Sequence, residues 1–286
     1  MQIFHETHEH KTMSSLQQLQ RNWEELAQAD PMWAICTDPA RRHGKWSREE
    51  FFATGHDEIK KVVECVLGIP VAVDSRAPAL DFGCGVGRLT RALAGYFPEC
   101  WGVDISPTMV RLAGEFNGDL PQCRFLLNDR EDLKGLGDNY FGFVYTNIVL
   151  QHIAPRYSRK YLAELVRVTR PGGILAFQVL DDFRAPVLER WRQKVGLRKR
   201  WNRIAPNGDR AFLMDLHCMR EADVRKVLES AGSHIADVRW TNSTESSFNG
   251  KLEYLAAPPA RGYLSRQYCA IKNAQPSAKD REPVGF

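Results

Sequence analysis

Three glycines at alternate positions, Gly83, Gly85 and Gly87, close the stretch ALDFGCGVG and precede the helix-like RLTRALAGYF. Glycine weakens both strands and helices, so its repetition at a strand-to-helix junction needs a local reason. Glycines let backbone approach a ligand closely, and free amides at the start of the next helix favour an anionic group. A pyrophosphate answers that description, and so does the carboxylate of an amino-acid cofactor. A dinucleotide fingerprint, G-x-G-x-x-G, would set its third glycine at position 88, where the chain has Arg88.

Further chemistry sits at the ends of the following apolar runs. CWGVDIS places Asp104 21 residues beyond Gly83. A carboxylate at about that distance reaches the two ribose hydroxyls of a bound nucleoside, accepting from both. CRFLLND ends in Asp129, which either accepts from the exocyclic amine of an adenine or is a surface acid at a strand end. FGFVYTNIVLQHI carries Asn147, Gln151 and His152, and MDLHCM carries His217. A hydroxyl acceptor benefits from a general base. His152 and His217 are the two candidates, and His152 can equally be structural.

These residues need elements to hold them in place. From Pro78 onward, apolar runs alternate with helical patterns: ALDFG, CWGVDIS, CRFLLND, FGFVYTNIV and GILAFQV read as strands. RLTRALAGYF, SPTMVRLAGEF and RKYLAELVRVT read as helices between them. Such alternation predicts a parallel sheet with helices on both faces, and ligands bind such sheets at the carboxyl ends of the strands. Upstream, SREEFFATGHDEIKKVVECVLG opens with Ser47 as N-cap and Glu50 three residues on, and Gly68 and Pro70 stop it.

The 286 residues are 43% apolar and 26% charged, which is the composition of an ordinary globular protein. A net charge of +4 does not point to nucleic acid. Seven scattered cysteines contain no Cys-x-x-Cys, against a disulfide framework or a zinc ribbon, and no metal site is expected. The first fifteen residues are polar, without the apolar core of a signal peptide. No run approaches the roughly 20 apolar residues that span a bilayer. The expectation is a cytoplasmic protein of undetermined oligomeric state.

The five pieces ALDFGCGVGRL, GVDISPTMV, NDREDL, FGFVYTNIVLQHI and RPGGILAF, in this order, resemble the class I S-adenosylmethionine (SAM)-dependent methyltransferase family, small-molecule type. The resemblance is strong over residues 78–180 and weaker through LHCMREADVRKVLESAGSHI to QYCAIK. It implies a doubly wound, Rossmann-like, mostly parallel seven-stranded sheet. It also implies that Gly83, Gly85 and the adjacent backbone hold the methionine part of SAM, that Asp104 holds the ribose, and that Asp81, Cys84 and Ile105 belong to the same cofactor site. Asp129 with Arg130 would border the adenine, and Asn147 and Gln151 would line the pocket. Many relatives carry an acid where this chain has Gly142; that residue supports the strand.

The expected organisation is a flexible stretch at 1–15, a helical cap at 16–75, a SAM-binding domain at 76–273 and a disordered tail at 274–286. In the cap, Phe51, Phe52, Thr54 and Gly55 are candidates for the sulfonium side of SAM. An insertion at 182–213, rich in arginine and lysine with Trp191 and Trp201, reads as a helical lid beside the acceptor pocket. Its charge suits an anionic small-molecule acceptor, and its 184–203 stretch a membrane surface. The expected reaction is methylation of a small-molecule hydroxyl, the acceptor being anionic or a sugar or glycan. A SAM-binding protein without turnover and a nicotinamide-dependent oxidoreductase are the alternatives, and Arg88 disfavours the latter.

Overall fold

The computed structural model describes residues 16–70, 73–184, 215–244, 248 and 250–274. The expectations for 1–15, for the bulk of the basic insertion and for the tail beyond Ala274 lie outside them.

The apolar runs become strands: β1 (Ala79–Phe82) and β4 (Phe141–Thr146), buried throughout, β2 (Cys100–Asp104), buried in part, and β3 (Cys123–Leu127), a partly exposed edge strand. β5 (Thr169–Arg184) is longer than its apolar stretch, taking in the RPGG sequence at its start and reaching into the expected insertion at its end. β6 (Ser233–Thr241), β7 (Tyr254–Leu255) and β8 (Gly262–Lys272) complete a sheet ordered β3-β2-β1-β4-β5-β8-β6-β7. β1 to β5 pair in parallel, and β8 runs antiparallel between β5 and β6. Among the described residues the sheet therefore has eight strands, not seven. The additional one is the two-residue β7, antiparallel to the end of β6, too short to leave a periodicity in sequence.

Side chains alternate across the strands, and each face of the sheet has its own core. Leu80, Phe82, Val144, Leu175 and Phe177 pack with Leu162, Leu165 and Val166 of α6 (Pro155–Val168) and with Val224 and Leu228 of α7 (Glu221–Ser230). Ala79, Phe143, Tyr145, Ile174 and Ala176 pack on the other face with Ile59, Val62 and Val66 of α3 (Arg48–Leu67) and with Leu89 and Leu93 of α4 (Arg88–Leu93). Gly142 fits this packing: a Cβ there would lie 2.5 Å from that of Ala77, so β4 has no room for a side chain at this position.

The cap consists of α1 (Leu16–Ala29), α2 (Pro31–Ile35) and α3. Ser47 Oγ accepts from Glu50 N at the start of α3, and Gly68 is its C-cap, as the sequence predicts. Phe51, Phe52 and Trp46 form a buried cluster with Leu26 and Met109, so the two phenylalanines are core residues of the cap. α5 (Pro107–Phe116) follows β2, and its N-cap Ser106 is where the cap docks. Glu24 of α1 accepts from Ser106 Oγ at 2.6 Å and from the amide and hydroxyl of Thr108 at 3.1 and 2.5 Å. Burial works against that carboxylate, but these hydrogen bonds outweigh it and bring Glu24 down to about 2.

Candidate functional site

The strand order reverses beside β1, whose neighbours are β2 and β4, and open α/β sheets form their ligand crevice at such a switch point. A cavity of about 730 Å³ opens there, roofed by α1 and α2.

The glycine turn forms its floor. Gly83 and Gly85 take left-handed φ values of 79° and 53°. A Cβ on Gly83 would sit 2.3 Å from Val149 Cγ2, and one on Gly85 would sit 2.4 Å from Ile35 Cδ1 of the cap. Both conformation and space therefore demand glycine. The amides of this turn are largely spent within the protein. Those of Gly83 and Cys84 donate to Val103 O, that of Gly87 to Cys84 O, and that of Gly85 to Asp104 Oδ2. What the turn offers a ligand is bare backbone more than a set of free donors.

Asp104 is held at both oxygens, by Gly85 N on Oδ2 and Ser106 N on Oδ1, each at 2.9 Å. Each oxygen keeps a further lone pair for a ligand. Burial raises its pKa, and the backbone hydrogen bonds oppose that rise. Because Ser106 binds both Asp104 and Glu24, docking of the cap and orientation of Asp104 share a residue.

A buried network that sequence reasoning missed builds the opposite wall. Glu58 of α3 is fully buried and accepts from Arg88 Nη2 at 2.7 Å, Tyr145 OH at 2.9 Å and Asn147 Nδ2 at 2.8 Å. Arg88 therefore occupies the position of a dinucleotide-binding glycine to ion-pair with the cap helix. Gly55 lets the two helices approach: a Cβ on it would lie 2.5 Å from Arg88 O. Since a carboxylate can only accept, the Asn147 amide must turn its nitrogen to Glu58. Its Oδ1 is left buried on the cavity wall without a hydrogen-bond partner among the described residues. A buried acceptor of this kind calls for a donor from a ligand.

A second chain of bonds fixes the end of β4. Ile148, a β-branched residue, sits at φ 59°, a genuine backbone outlier. Its N–H donates to Gln178 Oε1 at 3.0 Å. Gln178 Nε2 then donates to Gln151 Oε1 at 3.0 Å and to Ser265 Oγ at 2.8 Å. Gln151 must therefore present Nε2 to His152 Nε2, 3.3 Å away. A backbone N–H cannot be reversed, so it assigns both amides, and then the ring: His152 accepts at Nε2 and donates from Nδ1 to Asp215 O at 3.3 Å. Burial pulls the His152 pKa down to about 4. Trp23 of α1 packs edge-on against the ring, with centroids 5.6 Å apart.

Of the remaining residues singled out in the sequence, Cys84, Ile105 and Gln151 line the cavity. Asp81 does not. It is buried under the turn, bonded to Thr90 Oγ1 at 2.7 Å, and burial raises it to about 7. After β3, Asn128 lines the cavity, whereas Asp129 and Arg130 lie on the exposed loop beyond it. His217 is near His152 but off the cavity wall. Its backbone N donates to Gln151 O at 2.8 Å, its Nε2 is buried without a partner among the described residues, and burial lowers its pKa. Arg42 of the cap lines the cavity with its guanidinium over the Trp33 ring, 4.9 Å from the centroid. Glu58 and Gln178 gave no signal in sequence, because a polar residue inside an amphipathic or apolar run looks the same whether it faces solvent or a site.

The residues present fit SAM: two carboxylate oxygens with lone pairs to spare at Asp104, an orphaned buried acceptor at Asn147, and a floor stripped of side chains. Residues 80–177 match the family described as "Methyltransferase domain". The chain is 27% identical over 252 residues to trans-aconitate 2-methyltransferase of Azoarcus sp., covering 82% of this chain and 92% of that protein. It is 33% identical over 130 residues to malonyl-[acyl-carrier protein] O-methyltransferase of Pectobacterium atrosepticum, covering 45% of this chain and 48% of that one. In fold it is similar to magnesium protoporphyrin IX methyltransferase of Synechocystis, solved with S-adenosylhomocysteine, with a TM-score of 0.57, 21% identity and coverage of 91% and 100% of the two chains. The glycine turn and Asp104 both lie inside residues 80–177, the stretch that matches the methyltransferase domain.

Proposed function

We propose that this methyltransferase acts on a carboxylate oxygen of a small acid and yields a methyl ester. The observation that carries this reading is the engagement of His152. Its one lone pair already accepts from Gln151, and a pKa of about 4 makes it a weak base at neutral pH. A hydroxyl acceptor needs its proton removed, whereas an ionised carboxylate needs no base. SAM supplies a methyl group on a positively charged sulfur, and its transfer to an anionic oxygen breaks the S–C bond with no proton to move.

The protein's own share is then alignment and exclusion of water, and well-oriented groups gain on the order of 7–11 kcal/mol from such placement. Asp104 would hold the ribose, Asn147 Oδ1 would accept from the cofactor's ammonium group, and the roof of α1 and α2 would close the chamber. Arg42, set on the face of Trp33, supplies a cation on the wall that would attract an acid. Two relatives, whose names speak of trans-aconitate and of O-methylation of malonyl-acyl carrier protein, are in keeping with this class of acceptor.

The test is incubation with methyl-labelled SAM and a panel of di- and tricarboxylic acids, alongside hydroxylated sugars and phenols. A methyl ester releases labelled methanol on mild alkaline treatment. Label confined to base-stable products would contradict the proposal and return His217 to consideration as a base.

A further inference from the structure

The seven cysteines are scattered in sequence, but the fold gathers two of them off the wall of the cofactor cavity. Cys65 near the end of α3, Cys269 of β8 and Asp237 of β6 bring two sulfurs and a carboxylate oxygen within 4.8 Å of one another. The gathering follows from the topology. Asp237 and Cys269 are direct partners in the β6–β8 ladder, and a register shift between Ile235 and Asp237 immediately precedes them. Such a bulge re-aims a side chain, here to the face that α3 covers. Cys65 Sγ lies 3.8 Å from Asp237 Oδ2. A tetrahedral zinc site, with bonds of about 2.0–2.3 Å, sets neighbouring ligand atoms roughly 3.3–3.8 Å apart.

The surroundings complete the picture. Arg239 Nε donates to Asp237 Oδ2 at 2.7 Å and orients the carboxylate. Tyr254 stands next to Cys65, its hydroxyl held by Gln267 Nε2 at 2.8 Å. The two thiols share a hydrogen bond, which pulls Cys65 down and pushes Cys269 up. Both cysteines are buried, whereas the Asp237 side chain is 28% exposed and gives the cluster its access to solvent.

The geometry points to a site for a thiophilic divalent cation of the zinc class, held by Cys65, Asp237 and Cys269, with a water on the partly exposed Asp237 side completing the tetrahedron. Two thiolates and a carboxylate carry three negative charges, which the cation and Arg239 together neutralise. The ion ties α3 to the antiparallel end of the sheet. Glu58 lies two helical turns before Cys65, so the same tie steadies the helix that orients Asn147. The chemistry is independent of the cofactor and of the acceptor.

The test uses the reduced full-length protein and Co(II) as the probe. One equivalent should bind, with a thiolate-to-cobalt charge-transfer band and the strong visible bands of a tetrahedral site, and Zn(II) should displace it. Cys65→Ser and Cys269→Ser should each lose the charge-transfer intensity of one thiolate. Asp237→Asn, at the least buried of the three positions, should weaken Co(II) binding at least tenfold. Zn(II) should raise the Tm of the unsubstituted protein by several degrees and leave that of the double cysteine variant unmoved. S-adenosylhomocysteine binding, measured by calorimetry, reports whether each variant is folded. Absence of the charge-transfer band at saturating Co(II), or its survival in folded protein lacking both cysteines, would overturn the site.

Discussion

The N–H of Ile148 donates to Oε1 of Gln178 at 3.0 Å, across the gap between the end of β4 and the middle of β5. That one bond holds a β-branched residue at positive φ. Through Gln151 it also decides which nitrogen of His152 carries a proton. A buried glutamine in an apolar strand thus controls the His152 side of the cavity without lining it.

Replacing Gln178 with Leu leaves the Ile148 amide and Gln151 Oε1 without this partner. Each buried group so orphaned costs about 1–3 kcal/mol. The variant should denature at lower urea concentration and show a reduced kcat, because both Ile148 and Gln151 lose their anchor. Gln178→Glu keeps an acceptor for Ile148 but, once ionised, cannot donate to Gln151. It should restore part of the stability while leaving turnover low. Equal recovery of both would show that Gln151 needs no orienting.

The fold was largely legible from the apolar runs and the glycine turn, because period and turn chemistry are local properties of the chain. The five parallel strands, α3 with its Ser47 cap, and the crevice beside Gly83 and Asp104 follow from them. The polar contacts across the chain were not legible. Glu58 meets Arg88, Tyr145 and Asn147 from 30, 87 and 89 positions away, and nothing near Glu58 in sequence marks it as buried. Asn128 in place of Asp129 is a matter of which way a loop side chain turns. β7 is too short for any pattern, and Phe51 and Phe52 face inward because the cap has a core of its own.

His152 should make stability depend on pH. Its folded pKa, about 4, lies below the usual value of 6.5, so the unfolded chain binds the proton first. The contribution of the neutral ring is complete above pH 6.5 and declines as pH falls towards 4. Denaturation midpoints followed across this window should show that decline in the unsubstituted protein and a weaker one in His152→Asn. Over pH 6.5–8 the transfer rate should carry no titration from this ring.

The buried pair Glu58–Arg88 predicts an asymmetry. Glu58→Ala strands a buried guanidinium and should destabilise by about 3–5 kcal/mol. Glu58→Gln keeps the shape and one acceptor oxygen, so it should cost less but still turn the Asn147 amide. Urea denaturation with SAM calorimetry separates the two: a Gln variant with unchanged cofactor affinity would show that Asn147 does not depend on Glu58.

Glu24 predicts release of the cap in acid. Its folded pKa, about 2, lies below the model-peptide value of 4.5. Its contribution is present above pH 4.5 and is lost as pH falls through about 2. Trp23, one residue away and packed on His152, is the natural reporter. Its fluorescence should shift over this range, and Glu24→Gln should show the loosened signal already at neutral pH.

The central claim is that the glycine turn and Asp104 hold an adenosyl amino acid, and calorimetry on Asp104→Asn tests it most directly. An amide at 104 would set its NH2 against a backbone N–H, and hydrogen bonds to a charged group are worth about 1.5–3 kcal/mol each. The prediction is one equivalent of SAM bound by the unsubstituted protein, affinity lower by roughly 10–100-fold in Asp104→Asn, and no heat from NAD with either. SAM affinity unmoved by the substitution, or NAD competing for the same crevice, would contradict it.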